Sequence, residues 1–353
     1  MQCTVMQVGN QATLRYFMQV PQNVYPPGGI PPTTAGVNRM RFTPSFNPTL
    51  RHVRFANFVA LAGTRPVGRI TASYDRLNPR PDEGFWGSFE CVDQVRVAEL
   101  LLNAAAGWLK KHGKTVMIGP ATLNTNQQVG LLIEGFQYEP QREIPYNPPY
   151  YKDLLAELEQ EKLRDLECFA WRLPEKLPAV LQAAETPPGL VIRPVDYRAP
   201  HREARVITEI YNQSMARVWG FIPMTKAEAG AFLSGLAGSV PAELFMVAEM
   251  DGEPAGMFLS IPIKRPGPAG HDGVLRLAVA GVTPKFQHQG IHWLGLKMFY
   301  EKCRRLGYTT GEASQVADSN KVIKRRIIIP LFGGKVIKLY RVYQRDIANG
   351  KSK

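Results

Sequence analysis

A chain of 353 residues, 44% hydrophobic and 21% charged, has globular composition and enough length for two domains with separate cores, which excludes long disorder. It contains no uninterrupted apolar run long enough for a bilayer and no basic-then-apolar signal segment after Met1, so a soluble, cytoplasmic protein without a membrane partner is expected. The formal charge of +13 suits an anionic partner such as a nucleotide cofactor, an acidic substrate or RNA, and equally suits a basic but inert solvated surface.

In chain order, "FVALAGTRPVGRITASY" (58–74) reads as two apolar strands around a Gly turn, and "FMVAEMDGEPAGMFLSIPI" (245–263) repeats that plan. After "GFWGSFE", Val97, Leu100, Leu101, Ala104, Ala105, Trp108 and Leu109 mark a helix that stops at Gly113. In the second half Ile291, Leu294, Met298, Phe299 and Cys303 mark its counterpart, which stops at Gly307. A strand follows each helix, "KTVMIGP" and "YTTGEASQV", and an Asn stands thirteen residues beyond each stop, Asn126 and Asn320. Another helical stretch is expected after each Asn, ending near Gly135-Phe136 and near Phe332-Gly333-Gly334. This ordered series implies a tandem duplication.

The expected organisation is a first domain over 1–173, a linker over 174–190 and a second domain over 191–348. Each is an α/β domain with a mixed sheet (α+β in its segregated parts), closed by "DLECFAWRL" in the first half and "KVIKLYRVYQR" in the second. Cys3, Cys91, Cys168 and Cys303 are scattered and read as reduced, buried thiols. His288 and His292 are four apart, but with Gly290 between them and no carboxylate alongside, no metal site is expected.

The stretch "VTPKFQHQGIHWLGLKMFYEKCRRLGY" (282–308) joins a strand to a helix through Gln287-His288-Gln289-Gly290-Ile291-His292. A helix N-terminus leaves backbone N–H groups unpaired, and a Gly there lets an anion approach them. The loop therefore suits a pyrophosphate; in isolation, a tight strand-to-helix turn explains such a Gly equally well.

Strand, "V-x-P-x-F-Q-x-x-G-I", helix, strand, Asn and helix resembles the coenzyme A core of the GNAT superfamily of N-acyltransferases. The family's loop is Gln or Arg, two residues, Gly, one residue, then Gly or Ala. Gln287 and Gly290 match it, and His292 departs from it at the third position. The resemblance implies acetyl-CoA or a longer acyl-CoA as cofactor, with Val282 and Asn320 near the pantetheine arm. "FMQVPQNVY", "GRITA", "GFWGSFE", "WLKKHGKTVMIGPATLNTN", "GLLIEGF", "YNPPYY", "IYNQSMARVWGFIPMT" and "YRVYQR" together resemble a bacterial family of double-GNAT proteins, two tandem GNAT-like domains in one chain. Residues 26–50 fit it less well.

Acyl transfer to an amine needs a base, a donor for the oxyanion and an acid for the departing thiolate. Where many family members carry the acid, a Tyr, this chain has Ile327, Ile328 and Ile329. Tyr343 or Tyr340 is the substitute, with at least one of them expected in a core. Glu312 and Asp318 are the base candidates, ahead of Glu249 and His271; each is otherwise an exposed or salt-bridged group.

The first half lacks the pyrophosphate loop, and Glu90 and Asp93 near its helix start would repel phosphate. It is expected not to bind coenzyme A. Asn124, Asn126, Tyr146, Asn147, Tyr150 and Tyr151 there are either acceptor-pocket residues or turn and packing residues. Asn212, Trp219 and Phe221 would lie beside the acceptor cleft of the second half or pack a lid. Three readings follow: an acyl-CoA-dependent N-acyltransferase for a small-molecule amine, an aminoacyl-tRNA-dependent transferase, and a non-catalytic coenzyme- or ligand-binding module. In the second, "KVIKRR" and Arg304-Arg305 would meet tRNA phosphates.

Overall fold

Both expected hairpins form in the computed structural model, which describes residues 2–27, 29, 40–141, 143–158, 160–265 and 273–348. Two compact units result, residues 1–166 with 338–353 and residues 167–337. In the first unit the chain runs β1 (Thr4–Gln7), α1 (Gln11–Val24), β2 (Val53–Ala62), β3 (Arg65–Asp75), β4 (Glu83–Cys91) and α2 (Val95–Lys111). It continues through β5 (Val116–Gly119), β6 (Leu131–Glu134), α3 (Tyr151–Glu157) and the start of β7 (Glu161–Arg172). In the second unit come α4 (Ala179–Gln182), β8 (Leu190–Pro194), α5 (Pro200–Ser214), α6 (Lys226–Leu236), β9 (Phe245–Met250) and β10 (Glu253–Lys264). Then follow β11 (Gly273–Val282), α7 (Ile291–Leu306), β12 (Tyr308–Ala317), a wide helical turn (Ile323–Ile328), α8 (Ile329–Phe332) and β13 (Lys335–Asp346).

The same construction appears twice. β2, β3 and β4 form an antiparallel meander, after which α2 crosses over to β5, parallel to β4. β9, β10 and β11 repeat the meander, and α7 crosses over to β12, parallel to β11. Only a crossover can join parallel neighbours, so each long amphipathic helix is where the topology requires one. α7 ends, as expected, at Gly307, whose φ of +77° suits a residue without Cβ and whose N–H donates to the Cys303 carbonyl.

Two expectations need correction. Residues 131–134 form strand β6 instead of a helix, because Leu131-Leu132-Ile133 is too short an apolar run for its period to separate the two. The closing strands are also exchanged: β13 pairs through Tyr343–Asp346 with β5 and through Leu339–Arg341 with β6, so it completes the first unit. Residues 167–172 of β7 neighbour β12 in the second. Both strands are twelve residues long and alternate in character, so pattern alone does not say which unit each closes.

The first core gathers Phe58, Ile70, Trp86, Leu101, Leu109, Tyr151 and Tyr343. The second gathers Trp171, Ile207, Ile210, Leu233, Phe245, Leu275, Phe299 and Phe332. The expected linker packs on the second unit: Leu181 of α4 is fully buried there, and the Tyr300 hydroxyl donates to the Glu175 carbonyl. Glu203 on α5, also fully buried, receives two hydrogen bonds from Arg193 on β8, an ion pair that fastens the helix to the sheet edge. Among the described residues no helix is long and apolar enough to cross a membrane.

Gly311 on β12 marks the tightest spot in the second core, where a Cβ would run into the Leu275 carbonyl and the Trp171 ring. Both obstacles belong to packed strands and cannot swing aside. Gly311→Ala is expected to destabilise the protein by about 1–3 kcal/mol, the usual cost of overpacking, read as a lowered midpoint in chemical denaturation.

Candidate functional site

β11 and β12 do not stay together. Their parallel pairing runs from Gly273 opposite Tyr308 to Leu277 opposite Ala313 and stops. β11 then continues through Ala278, Val279, Ala280, Gly281 and Val282, bonded on its other side to β10, with a register shift between Leu259 and Ser260 that leaves Ala278 bulged. The strands fork at the carboxyl end of a parallel pair, where α/β sheets place ligands. Along the fork β11 presents a strand edge towards the gap, able to pair with an extended amide-bearing chain. Ala280 is exposed and its neighbours are half-buried, so this edge is accessible.

The fork leads directly into the Gly-containing loop. Gln287, His288 and Gln289 are exposed, and His288 itself has φ +66°. Gln287 Nε2 donates to the Val282 carbonyl, tying the loop back to the end of β11, and Gln289 Nε2 donates to the Lys285 carbonyl. Gly290 is the N-cap of α7 at φ +81°, and a Cβ there would meet nothing within 4 Å. Its role is therefore backbone conformation and an open approach, not close packing. No side chain caps the helix and no acidic residue lies in its first turn. The N–H groups of Ile291 and His292 begin the helix above that opening, and the macrodipole favours an anion there. Ile291 is buried, which fixes the helix against the sheet, whereas His292 is half-buried with its ring 4.3 Å from that of Trp293. Burial, with His288 adding to it, pushes the His292 pKa below its ordinary value. The chemistry of this set, an uncapped helix end beside an open strand edge, fits a diphosphate carrying an extended amide arm.

Asn320 follows β12, half-buried. Its carboxamide oxygen accepts from the Ile323 N–H at 3.2 Å, so it caps the helical segment after β12. In that segment Ile328 is buried in the core, Ile327 packs against it and Ile329 is exposed; the acid of the family pattern has no replacement there. Glu312 sits one residue before the fork, opposite Arg276 and accepting a hydrogen bond from the Cys168 thiol at 3.2 Å. Asp318 lies half-buried just past β12. Glu249 is committed to Arg193 in a two-point ion pair, and His271 lies outside the described residues. Tyr343 and Tyr340 are both buried on β13, and Tyr343 belongs to the first unit's core, where burial raises its pKa. Both belong to the first unit, which β13 completes.

Asn212 clamps the loop after α5: its carboxamide accepts from the Met224 N–H and donates to the Met224 carbonyl. Phe221 stacks near Tyr211 at 6.0 Å, and Trp219 is half-buried in the same loop. In the first unit Asn147 makes the same kind of clamp on Leu132, and the Tyr146 carbonyl accepts from the Tyr25 hydroxyl. Asn124 donates to Asp75 and accepts from the Asn126 N–H, while the Tyr151 hydroxyl donates to buried Glu90. Glu90 also lies 3.7 Å from Arg69, so it is part of a buried network instead of a charge facing the helix start. Sequence reasoning missed two hydroxyls near the fork. Thr283 Oγ1 and Ser214 Oγ are buried with no hydrogen-bond partner among the described residues, and a Cβ on Gly281 would come within 2.6 Å of Ser214 Oγ. Spacing carries no signal for either.

The first unit has the same fork, and the chain fills it. β4 and β5 part after Phe85 opposite Ile118, and residues 120–130 then lie along β4. The Ala121 N–H donates to the Trp86 carbonyl, the Ser88 N–H to Thr122 Oγ1, and a Cβ on Gly87 would strike the Ala121 backbone.

No protein-family model matches the chain. A protein of Caulobacter vibrioides (strain NA1000 / CB15N) bearing the name bacterial ceramide synthase is 31% identical over 380 residues, spanning 98% of this chain and 97% of that one. Protein YghO of Escherichia coli (strain K12) is 27% identical over 372 residues, spanning 96% and 94%. Among solved structures, a tandem GNAT protein from the clavulanic acid biosynthesis pathway aligns over 99% of this chain and 100% of its own, with TM-score 0.57 and 12% identity. A conserved protein of Enterococcus faecalis V583 aligns over 98% of this chain and 73% of its own, with TM-score 0.59 and 13% identity. At such identities the structures show the fold, which is that of a tandem GNAT protein. The chain has the GNAT fold and belongs to the same family as the Caulobacter vibrioides protein.

Proposed function

We propose that the protein transfers the acyl group of an acyl-CoA to the primary amine of a long-chain amino alcohol, with the coenzyme held by the second unit. The observation that carries the reading is the open fork of β11 and β12 running into an uncapped helix N-terminus, in a chain similar end to end to a protein named for making ceramide, an N-acylated amino alcohol. The corresponding edge in the first unit is occupied by its own backbone, which supports one coenzyme site per chain.

When bound, the coenzyme supplies the activated acyl group as a thioester. The N–H groups of Ile291 and His292 and the opening at Gly290 would hold its diphosphate, with Gln287, His288 and Gln289 around it. The edge from Ala278 to Val282 would pair with the amide arm, and Asn320 would bound the other side. Backbone N–H groups at the bulge would donate to a developing oxyanion. Glu312, one residue from the fork, is the first choice for the group that takes the amine proton, with Asp318 second. Of the basic residues that an RNA-directed reading would use, Lys324 is paired with Glu167 and Arg305 with Glu243.

Three measurements test this. Calorimetric titration of acetyl-CoA, a long-chain acyl-CoA and free coenzyme A should show micromolar binding to the native chain and loss of it in Gly290→Trp; binding that survives the substitution places the coenzyme elsewhere. The His292 ring, held below its ordinary pKa of 6.5, is neutral at neutral pH. A bound diphosphate favours the imidazolium, so affinity should rise as pH falls below 6.5, and His292→Ala should flatten that rise. Glu312→Gln should lower kcat by about 10²-fold or more while coenzyme affinity stays unchanged, with acylation of a sphingoid amine by long-chain acyl-CoA as the assay.

A further inference from the structure

The segment after Asn320 has a surface that the proposed chemistry does not use. From Ser319 to Arg345 the sequence contains no Asp or Glu. Within it, Ile328 and Phe332 are each only 2% exposed, and they anchor one face of the helical segment in the second unit's core. The opposite face carries Lys321, Val322, Arg325, Arg326 and Ile329, all exposed and recurring every four residues, which on the widened turn over Ile323–Ile328 stacks them on one side. Val322 is 60% exposed, Ile329 47%, and Val336 just beyond it 50%. Lys321, Arg325, Arg326 and Lys335 make no ion pair among the described residues, in contrast to Lys324, which is paired with Glu167.

Large apolar side chains left in water between unpaired cations are costly unless something covers them. Nucleic acid would take the cations and gain nothing from valine and isoleucine. A bilayer interface takes both: the headgroup phosphates meet the basic residues while the aliphatic tips enter the acyl boundary. We propose that this face, Lys321 to Ile329 with Lys335 and Val336, docks the protein peripherally on an anionic phospholipid surface. This departs from the absence of a membrane partner expected from hydropathy, because surface docking requires no spanning segment. The proposal does not depend on the acceptor assigned above, since it is read from binding and not from turnover.

Flotation of the full chain with vesicles tests it, using phosphatidylcholine alone and phosphatidylcholine with phosphatidylglycerol. The native protein should float with the anionic vesicles, fail to float with the neutral ones, and be released by raised salt. Arg325→Glu/Arg326→Glu should weaken association by about tenfold or more. Val322→Glu should weaken it too, with an unchanged thermal transition, which separates lost docking from lost folding. Arg198→Glu/Arg205→Glu, an equal charge reversal at exposed positions near and on α5, should leave association intact. The proposal is overturned if the native chain ignores anionic vesicles, or if the two double reversals act alike. It also fails if Val322→Glu has no effect while transfer RNA displaces the protein from the vesicles.

Discussion

The parting of β11 and β12 is the constraint on which the second unit's candidate site depends. A parallel pair held along its full length would satisfy every backbone group and leave nothing for a ligand. By ending the ladder at Leu277 and Ala313, the fold leaves a strand edge that is ordered by β10 on one side and open on the other. Gly290 matters because it lies at the end of the path that this edge defines. A helix N-terminus alone attracts many anions; one placed beside an open edge selects an anion that carries an amide chain. The duplicated unit shows the reverse arrangement, with residues 120–130 lying along the β4 edge.

Much of this organisation was legible in the amino-acid pattern. The hairpins, both crossover helices and the loop at Gln287–Gly290 depend on local periodicity and on Gly placement, and these are written residue by residue. The closing strands were not legible, because β7 and β13 carry the same alternation and only long-range packing decides which unit receives which. β6 was misread for a related reason: a three-residue apolar run has no period. Tyr343 followed β13 into the first core, so the misassigned closing strand carried a candidate side chain with it.

The amide residues show a different limit. Asn212 and Asn147 have the composition of substrate-binding residues, yet each spends its carboxamide on both polar groups of a single backbone residue, Met224 and Leu132. Such a clamp and a ligand contact require the same side chain at the same kind of loop. Conversely, Ser214 and Thr283 stand near the fork with buried hydroxyls that have no partner among the described residues, and nothing in their neighbouring residues distinguishes them from ordinary loop or helix-end hydroxyls.

The return of β13 to the first unit has a consequence for how the protein is made. β5 and β6 each find part of their pairing on a strand that is made after the second unit. The first unit's strands are thus made before the strand that completes them, and closure encloses everything between Gly119 and Tyr343 in one loop. Contacts of such sequence separation form slowly. The two units of this duplicated chain are therefore not independent folding modules in series, because β13 completes the first only after the second has been made.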